Sequence, residues 1–202
     1  MLEHLFSNLN SPLDPIPTGL NPKLTKLPQI EAVIFDIYGT LVVSGTGDIS
    51  IAQTIDKENE LRSILQSSGM ELVTDTRLAD LFYSLIKEDH AQSKAKGARF
   101  PEVDILEIWE RFLGNLKERD LIAEIPTGEA LQELAIRFEC AVNPVWPMPG
   151  LEAILGGLRE KNIPIGIVSN AQFYTPIMVE GFTGQSLEDL GFKKDLCVWS
   201  YQ

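Results

Sequence analysis

The chain has 202 residues, of which 44% are apolar and 23% are charged, as expected for one large or two small globular domains and not for a disordered chain. Its 29 acidic and 17 basic residues give a net charge of -12, which disfavours nucleic acid as a partner but still permits a locally positive site for a small anion. No apolar run approaches the roughly 20 residues of a membrane-spanning helix, so we expect no membrane partner.

The N-terminal segment, residues 1–29, is predicted to be an extended arm, because it is rich in proline and has little apolar periodicity. Its first ten residues contain Glu3 and no basic cluster ahead of an apolar block, so they do not resemble a secretory signal. Without an export signal, Cys140 and Cys197 are expected to be reduced structural thiols in a cytoplasmic protein.

The first predicted strand covers residues 32–35, a short apolar run with β-branched members that suits a parallel strand buried on both faces. It stops at Asp36, and Gly39 follows within a tight turn. From about Ser50 to Val142 the pattern changes to four amphipathic helices with no strand between them, the first opening on a capping box of Ser50 and Gln53. These residues are predicted to form a helical module.

The remainder of the chain returns to alternating helices and strands. A stiff proline-rich link at 143–150 leads into a helix over 150–161 and a second buried strand over 163–168. A further helix and a final apolar run at 196–199 complete the pattern. The sequence therefore predicts an α/β protein with a parallel-sheet core, residues 30–47 and 143–202, and an inserted helical domain, residues 48–142.

The ends of the first two strands carry the residues with chemical potential. Asp36 ends a buried strand, where open parallel sheets place their ligand crevice, and is positioned to attack an electrophile. We expect Gly39 to direct backbone amides toward the crevice and Thr40 to hydrogen-bond the loop or the carboxylate. Ser169 and Asn170, with the amides after them, could bind anionic oxygens, although a helix cap is the simpler explanation for either strand end taken alone.

Residues 33–40, Val-Ile-Phe-Asp-Ile-Tyr-Gly-Thr, together with the apolar strand that ends in Ser169-Asn170, resemble the first and second motifs of the haloacid dehalogenase superfamily of hydrolases. The resemblance implies a Rossmann-like core, a mobile helical cap at 48–142 and Asp36 as the nucleophile. It also implies Mg²⁺ held by the Asp36 carboxylate and a backbone carbonyl at Tyr38, and a small phosphorylated metabolite as substrate.

Two departures from the family pattern keep other functions open. Phosphatase members have an Asp general acid where this chain has Tyr38, whose phenol has an ordinary pKa near ~10. Tyrosine at this position is familiar from the dehalogenase branch, so a 2-haloacid is the alternative substrate. The family's third-motif Lys and later acidic cluster have no counterpart up to Gln202, because Lys193 and Lys194 precede the last predicted strand and are expected to be surface charges. A truncated or inactive family member is therefore the third possibility.

Two features of the helical module have both a plain and a functional explanation. His90, at the end of a predicted helix, either contacts the helix dipole or reaches a substrate. The basic segment 94–99 is either a solvated face or a guide for an anion entering the cleft. The sequence does not indicate an oligomeric state.

Overall fold

The computed structural model describes residues 2–45, 56–70, 72 and 75–201. The helices are α1 (Glu3–Leu9), α2 (Lys57–Ser67), α3 (Leu78–Ala95), α4 (Ile105–Glu118), α5 (Glu129–Val142), α6 (Leu151–Glu160) and α7 (Tyr174–Thr183). The strands are β1 (Val33–Phe35), β2 (Val42–Ser44), β3 (Val145–Pro147), β4 (Ile165–Ser169) and β5 (Phe192–Trp199). None of the described helices is long and apolar enough to cross a membrane.

A parallel three-stranded sheet in the order β1-β4-β5 confirms the predicted α/β class. Gly166 allows the strands to approach, because a Cβ there would lie 2.5 Å from the Cβ of Leu196 and 2.9 Å from Cδ1 of Ile34. The expectation of burial on both faces is wrong for this sheet, since Ile34 and Val168 are about half exposed. The apolar runs identify the strands but do not report which of their faces are covered.

A second, two-stranded sheet joins β2 to β3 in antiparallel fashion, with Val42 opposite Pro147. The interpretation of 143–150 as only a stiff link is therefore wrong for its central residues. Because the two strands are remote in the sequence, their pairing produces no local hydrophobic periodicity from which it could be predicted. The two strands flank the helical segment, and a hydrogen bond of 2.8 Å from Ser44 Oγ to Asn143 Oδ1 fastens them at that side.

Four helices, α2 to α5, occupy the described part of the segment between β2 and β3, as predicted. Their core is an aromatic cluster in which the ring centroids of Phe82 and Trp109 are 4.9 Å apart, and Phe112 and Phe138 pack within 5.4 Å of Phe82. The predicted capping box at residues 50–53 lies outside the described residues. The helix starts after Asp56, whose side chain accepts a hydrogen bond from a backbone N–H of its first turn.

The prediction of an extended arm is wrong for the first residues, which form α1 against α5 and α7. Phe6 is fully buried there, with its ring centroid 6.2 Å from that of Tyr174. Asn10 ends the helix, and its Oδ1 accepts a 2.9 Å hydrogen bond from the Val145 amide. A helix this short depends on tertiary contacts and not on propensity, so its sequence does not predict it. Residues 11–27 have no regular structure and are mostly exposed.

The position of the last strand also differs from the prediction. Lys193 and Lys194 lie inside β5 and do not precede it, because the strand begins at Phe192. Both lysine side chains are exposed, which agrees with the prediction of surface charges. Trp199, by contrast, is buried and ends the strand close to the end of β4.

Candidate functional site

The carboxyl ends of β1, β4 and β5 meet at one cavity of about 580 Å³. Its described lining consists of Asp36, Tyr38, Val168, Ser169, Asn170, Val198 and Ser200. Four residues that the sequence analysis proposed for the site are therefore brought together, although they come from distant parts of the chain. Parallel neighbouring strands place their ends at the same edge of a sheet, and this is why the two motifs converge.

The turn after Asp36 is closed by its own backbone. The Ile37 carbonyl accepts the amides of Thr40 and Leu41 at 3.1 and 2.8 Å, and the Gly39 amide donates to the Val42 carbonyl at 2.8 Å. Gly39 has a φ of +78°, which explains the glycine. Its amide is nevertheless committed to the turn, and neither Gly39 nor Thr40 lines the cavity. Thr40 thus hydrogen-bonds the loop through its amide, and the roles of Gly39 and Thr40 toward a ligand stay predictions.

The loop after β4 is also internally bonded. The Ala171 amide donates to Ser200 Oγ at 2.9 Å, and the Gln172 amide donates to Thr175 Oγ1 at 3.2 Å. Both amides therefore already have partners within the protein, and anion binding by this loop stays a prediction. From this loop the cavity lining includes Ser169, which is 5% exposed, and Asn170, which is exposed. The Ser169 hydroxyl donates to the Asn170 carbonyl at 3.4 Å. Ser200 was missed by the sequence analysis, although its place just after the third strand repeats the pattern of Ser169.

The Tyr38 phenol is directed into the protein, where its oxygen lies 3.0 Å from Oγ1 of the fully buried Thr175. Burial, with the Glu139 carboxylate as a second cause, raises the pKa of Tyr38 well above its ordinary value. The phenol therefore stays protonated and keeps its proton over the whole physiological range. This makes Tyr38 a still poorer proton donor to a leaving group than its residue type suggested.

A chain of hydrogen bonds leads from this phenol to the helical segment. Thr175 Oγ1 is shared between Tyr38 and the Gln172 amide. The Gln172 side chain in turn donates to the Val103 carbonyl at 2.9 Å and accepts from the Ile105 amide at 3.0 Å. It thereby satisfies backbone groups at the start of α4 that the helix itself cannot pair. Gln172 thus joins the loop after β4 to the helical segment right beside the site.

A second cavity, of about 850 Å³, adjoins the first and shares Asn170 and Ser200 with it. Its other described lining residues come from the end of α3 and the loop that follows: His90, Ser93, Lys94, Ala98, Arg99, Phe100, Pro101 and Glu102. His90 and part of the basic segment 94–99 therefore line the cavity that adjoins the candidate site. A separate cavity of about 970 Å³ lies between the ends of α2 and α5 and contains none of the predicted site residues.

The described residues do not fit a magnesium site. Among them no group of three or more His, Cys, Asp or Glu side chains is placed to hold a metal, and Asp36 is the carboxylate in the lining of the first cavity. Mg²⁺ prefers about six oxygen ligands in near-octahedral geometry, usually including more than one anionic group. The expected pair of the Asp36 carboxylate and the Tyr38 carbonyl is too small a donor set.

The family model described as haloacid dehalogenase-like hydrolase matches residues 30–185. No curated protein matches the chain. Among solved structures, a crystal structure of a predicted phosphoglycolate phosphatase from Haemophilus somnus 129PT is similar at 14% identity and a TM-score of 0.32. The aligned region covers 86% of this chain and 64% of that one, so the chain spans less than two thirds of that protein's length.

Proposed function

The chain belongs to the haloacid dehalogenase-like hydrolase family, and from this membership we propose that it hydrolyses a small phosphorylated metabolite with Asp36 as the nucleophile. The observation that carries the proposal is the cavity at the ends of β1 and β4, in which Asp36 shares one space with Ser169 and Asn170. The Asp36 side chain is exposed to this space and can reach an electrophile.

In the proposed reaction an Asp36 carboxylate oxygen attacks phosphorus, and the bond from phosphorus to the leaving oxygen breaks. Water then attacks phosphorus in the aspartyl phosphate, which releases inorganic phosphate and restores the carboxylate. The Ser169 hydroxyl and the Asn170 amide would hydrogen-bond the phosphoryl oxygens. In this proposal the leaving oxygen takes its proton from water and not from Tyr38. Thr40 would help to hold the loop that follows Asp36, where its amide donates to the Ile37 carbonyl at 3.1 Å.

A 2-haloacid is the second candidate substrate, and the bonding of Tyr38 is the observation that favours it. The Tyr38 phenol is held by Thr175 and is unsuited to donate a proton. A halide leaving group needs no proton, so Asp36 could displace it from carbon and form an ester that water then cleaves. The third candidate, a family member that only binds its ligand, predicts neither product.

We further propose residues 30–47 and 143–202 as the core and residues 48–142 as a cap that excludes water during the first step. The family generally uses Mg²⁺, and in this proposal the ion would need ligands in addition to the described residues. The free thiols of Cys140 and Cys197 support a cytoplasmic location.

The test measures phosphate release from a panel of phosphomonoesters with and without added Mg²⁺, and halide release from 2-chloropropionate. Asp36→Asn is the informative variant, because it keeps the size of the side chain and removes the nucleophile. Asp195→Asn is its matched control, since Asp195 is an exposed carboxylate on β5 away from the cavity lining. Product formation that is lost in Asp36→Asn and kept in the control supports the proposal. Absence of both products, or full activity of Asp36→Asn, contradicts it.

A further inference from the structure

We propose that the substrate carries a second anionic group, a carboxylate, which binds to Lys94 and Arg99 in the second cavity. This inference rests on the proposed function and specifies the part of the substrate that is not transferred. It assigns specificity to two residues of the helical segment and not to the core.

The two cavities are continuous with each other. Asn170 and Ser200 line both, so a ligand whose reacting group lies at Asp36 extends naturally past these two side chains into the second space. The first cavity, at about 580 Å³, is the smaller of the two. The second, at about 850 Å³, has room for the remainder of a small molecule.

The lining of the second cavity carries more basic than acidic side chains. The protein has a net charge of -12, yet the described lining of this cavity has two basic side chains, Lys94 and Arg99, and one acidic side chain, Glu102. His90 adds a further group that can donate a hydrogen bond. A locally positive cavity in a strongly acidic protein favours an anion over a neutral or cationic ligand.

Arg99 and Lys94 can bind an anion in different ways. The Arg99 guanidinium lies 5.5 Å from the centroid of the Phe100 ring, a cation–π contact between two exposed neighbouring side chains. The planar guanidinium can grip a carboxylate or phosphate with two hydrogen bonds, while Lys94 contributes a point charge from α3. Lys94 and Arg99 belong to the helical segment, whereas Asp36 belongs to the core. A substrate bound to all three would therefore bridge the helical segment and the core.

The experiment compares two ligands that share a three-carbon phosphomonoester and differ in one group. Glycerol 3-phosphate ends in a hydroxymethyl group, and 3-phosphoglycerate ends in a carboxylate. Dissociation constants are measured by calorimetry for the intact chain and for Lys94→Gln/Arg99→Gln, and KM and kcat are measured wherever turnover occurs. Lys117→Gln is the control, since Lys117 lies near the far end of α4, about 18 Å along the helix from Ile105.

We expect the intact chain to bind 3-phosphoglycerate at least tenfold more tightly than glycerol 3-phosphate. The double variant should lose that preference through KM, with kcat nearly unchanged, while the control keeps it. Equal affinity for both ligands, or a preference that survives in the double variant, overturns the inference even if phosphate is released. A preference that depends on the two cations without any turnover supports the inference while the proposed reaction fails, and failure to bind either ligand overturns it.

Discussion

The hydrogen bond between Tyr38 and Thr175 offers a direct test of what the tyrosine does at the position where phosphatases carry an acid. Tyr38→Phe keeps the ring and removes the hydroxyl that lies 3.0 Å from Thr175 Oγ1. A buried hydrogen bond contributes about 1 kcal/mol net to the free energy of unfolding, so we expect that loss. Thr175→Val should cost more, about 2 kcal/mol, because it removes the hydrogen-bond partner of two groups, the Tyr38 phenol and the Gln172 amide.

The double variant isolates the interaction. If the two hydroxyls bond to each other, the loss of unfolding free energy in Tyr38→Phe/Thr175→Val should be about 1 kcal/mol smaller than the summed losses of the two single variants. Urea unfolding followed by tryptophan fluorescence and by far-UV circular dichroism gives all four free energies, and coincident transitions justify a two-state treatment. Additivity within about 0.3 kcal/mol would show that the hydrogen bond contributes nothing and would refute the reasoning.

The same variant separates a structural phenol from a catalytic one. Because burial keeps the Tyr38 pKa above its ordinary value and its hydroxyl is bound to Thr175, we expect Tyr38→Phe to retain kcat within about threefold. Removal of a true general acid lowers the rate by about 10² to 10⁴. A loss of that size, with folding intact, would show that the phenol acts on the leaving group.

Two further predictions concern the packing of α1 and the buried thiol. A Cβ at Gly181 would collide with the carbonyl of Glu3, so Gly181→Ala should displace α1, expose Phe6 and lower the free energy of unfolding by about 2 kcal/mol. Gly157→Ala, where a Cβ meets nothing within 4 Å, should not destabilise, and equal urea midpoints for the two variants would contradict the packing argument. Burial raises the pKa of the Cys140 thiol to about 12. Above pH 9 the unfolded chain therefore loses this proton while the native chain keeps it. The free energy of unfolding should then fall by up to about 1.4 kcal/mol per pH unit. Urea titrations between pH 8 and pH 10 should show a shallower decline in Cys140→Ala, and an unchanged slope would count against the thiol as the source.

Local patterns were sufficient to locate the elements that carry the proposed chemistry. The apolar runs before Asp36 and Ser169 predict two parallel strands, and the rule that such strands present their carboxyl ends at one edge predicts a shared crevice. The amphipathic pattern of the four helices likewise predicts a helical segment with its own core, in which Phe82, Trp109 and Phe112 are buried. In each case the hydrophobic pattern lies within one continuous stretch of chain, because the burial of a strand or a helix determines which of its residues are apolar.

Contacts between distant segments leave no such pattern, and they account for the departures from prediction at the N-terminus and at the β2–β3 pair. The helix at the N-terminus exists because Phe6 fills a space beside Tyr174, and the β2–β3 pair exists because two remote tripeptides meet. The role of Tyr38 depends on Thr175, which is adjacent to it only after folding. The position of Arg99 beside the crevice arises in the same way, because docking of the helical segment on the core brings its charge to the cavity edge.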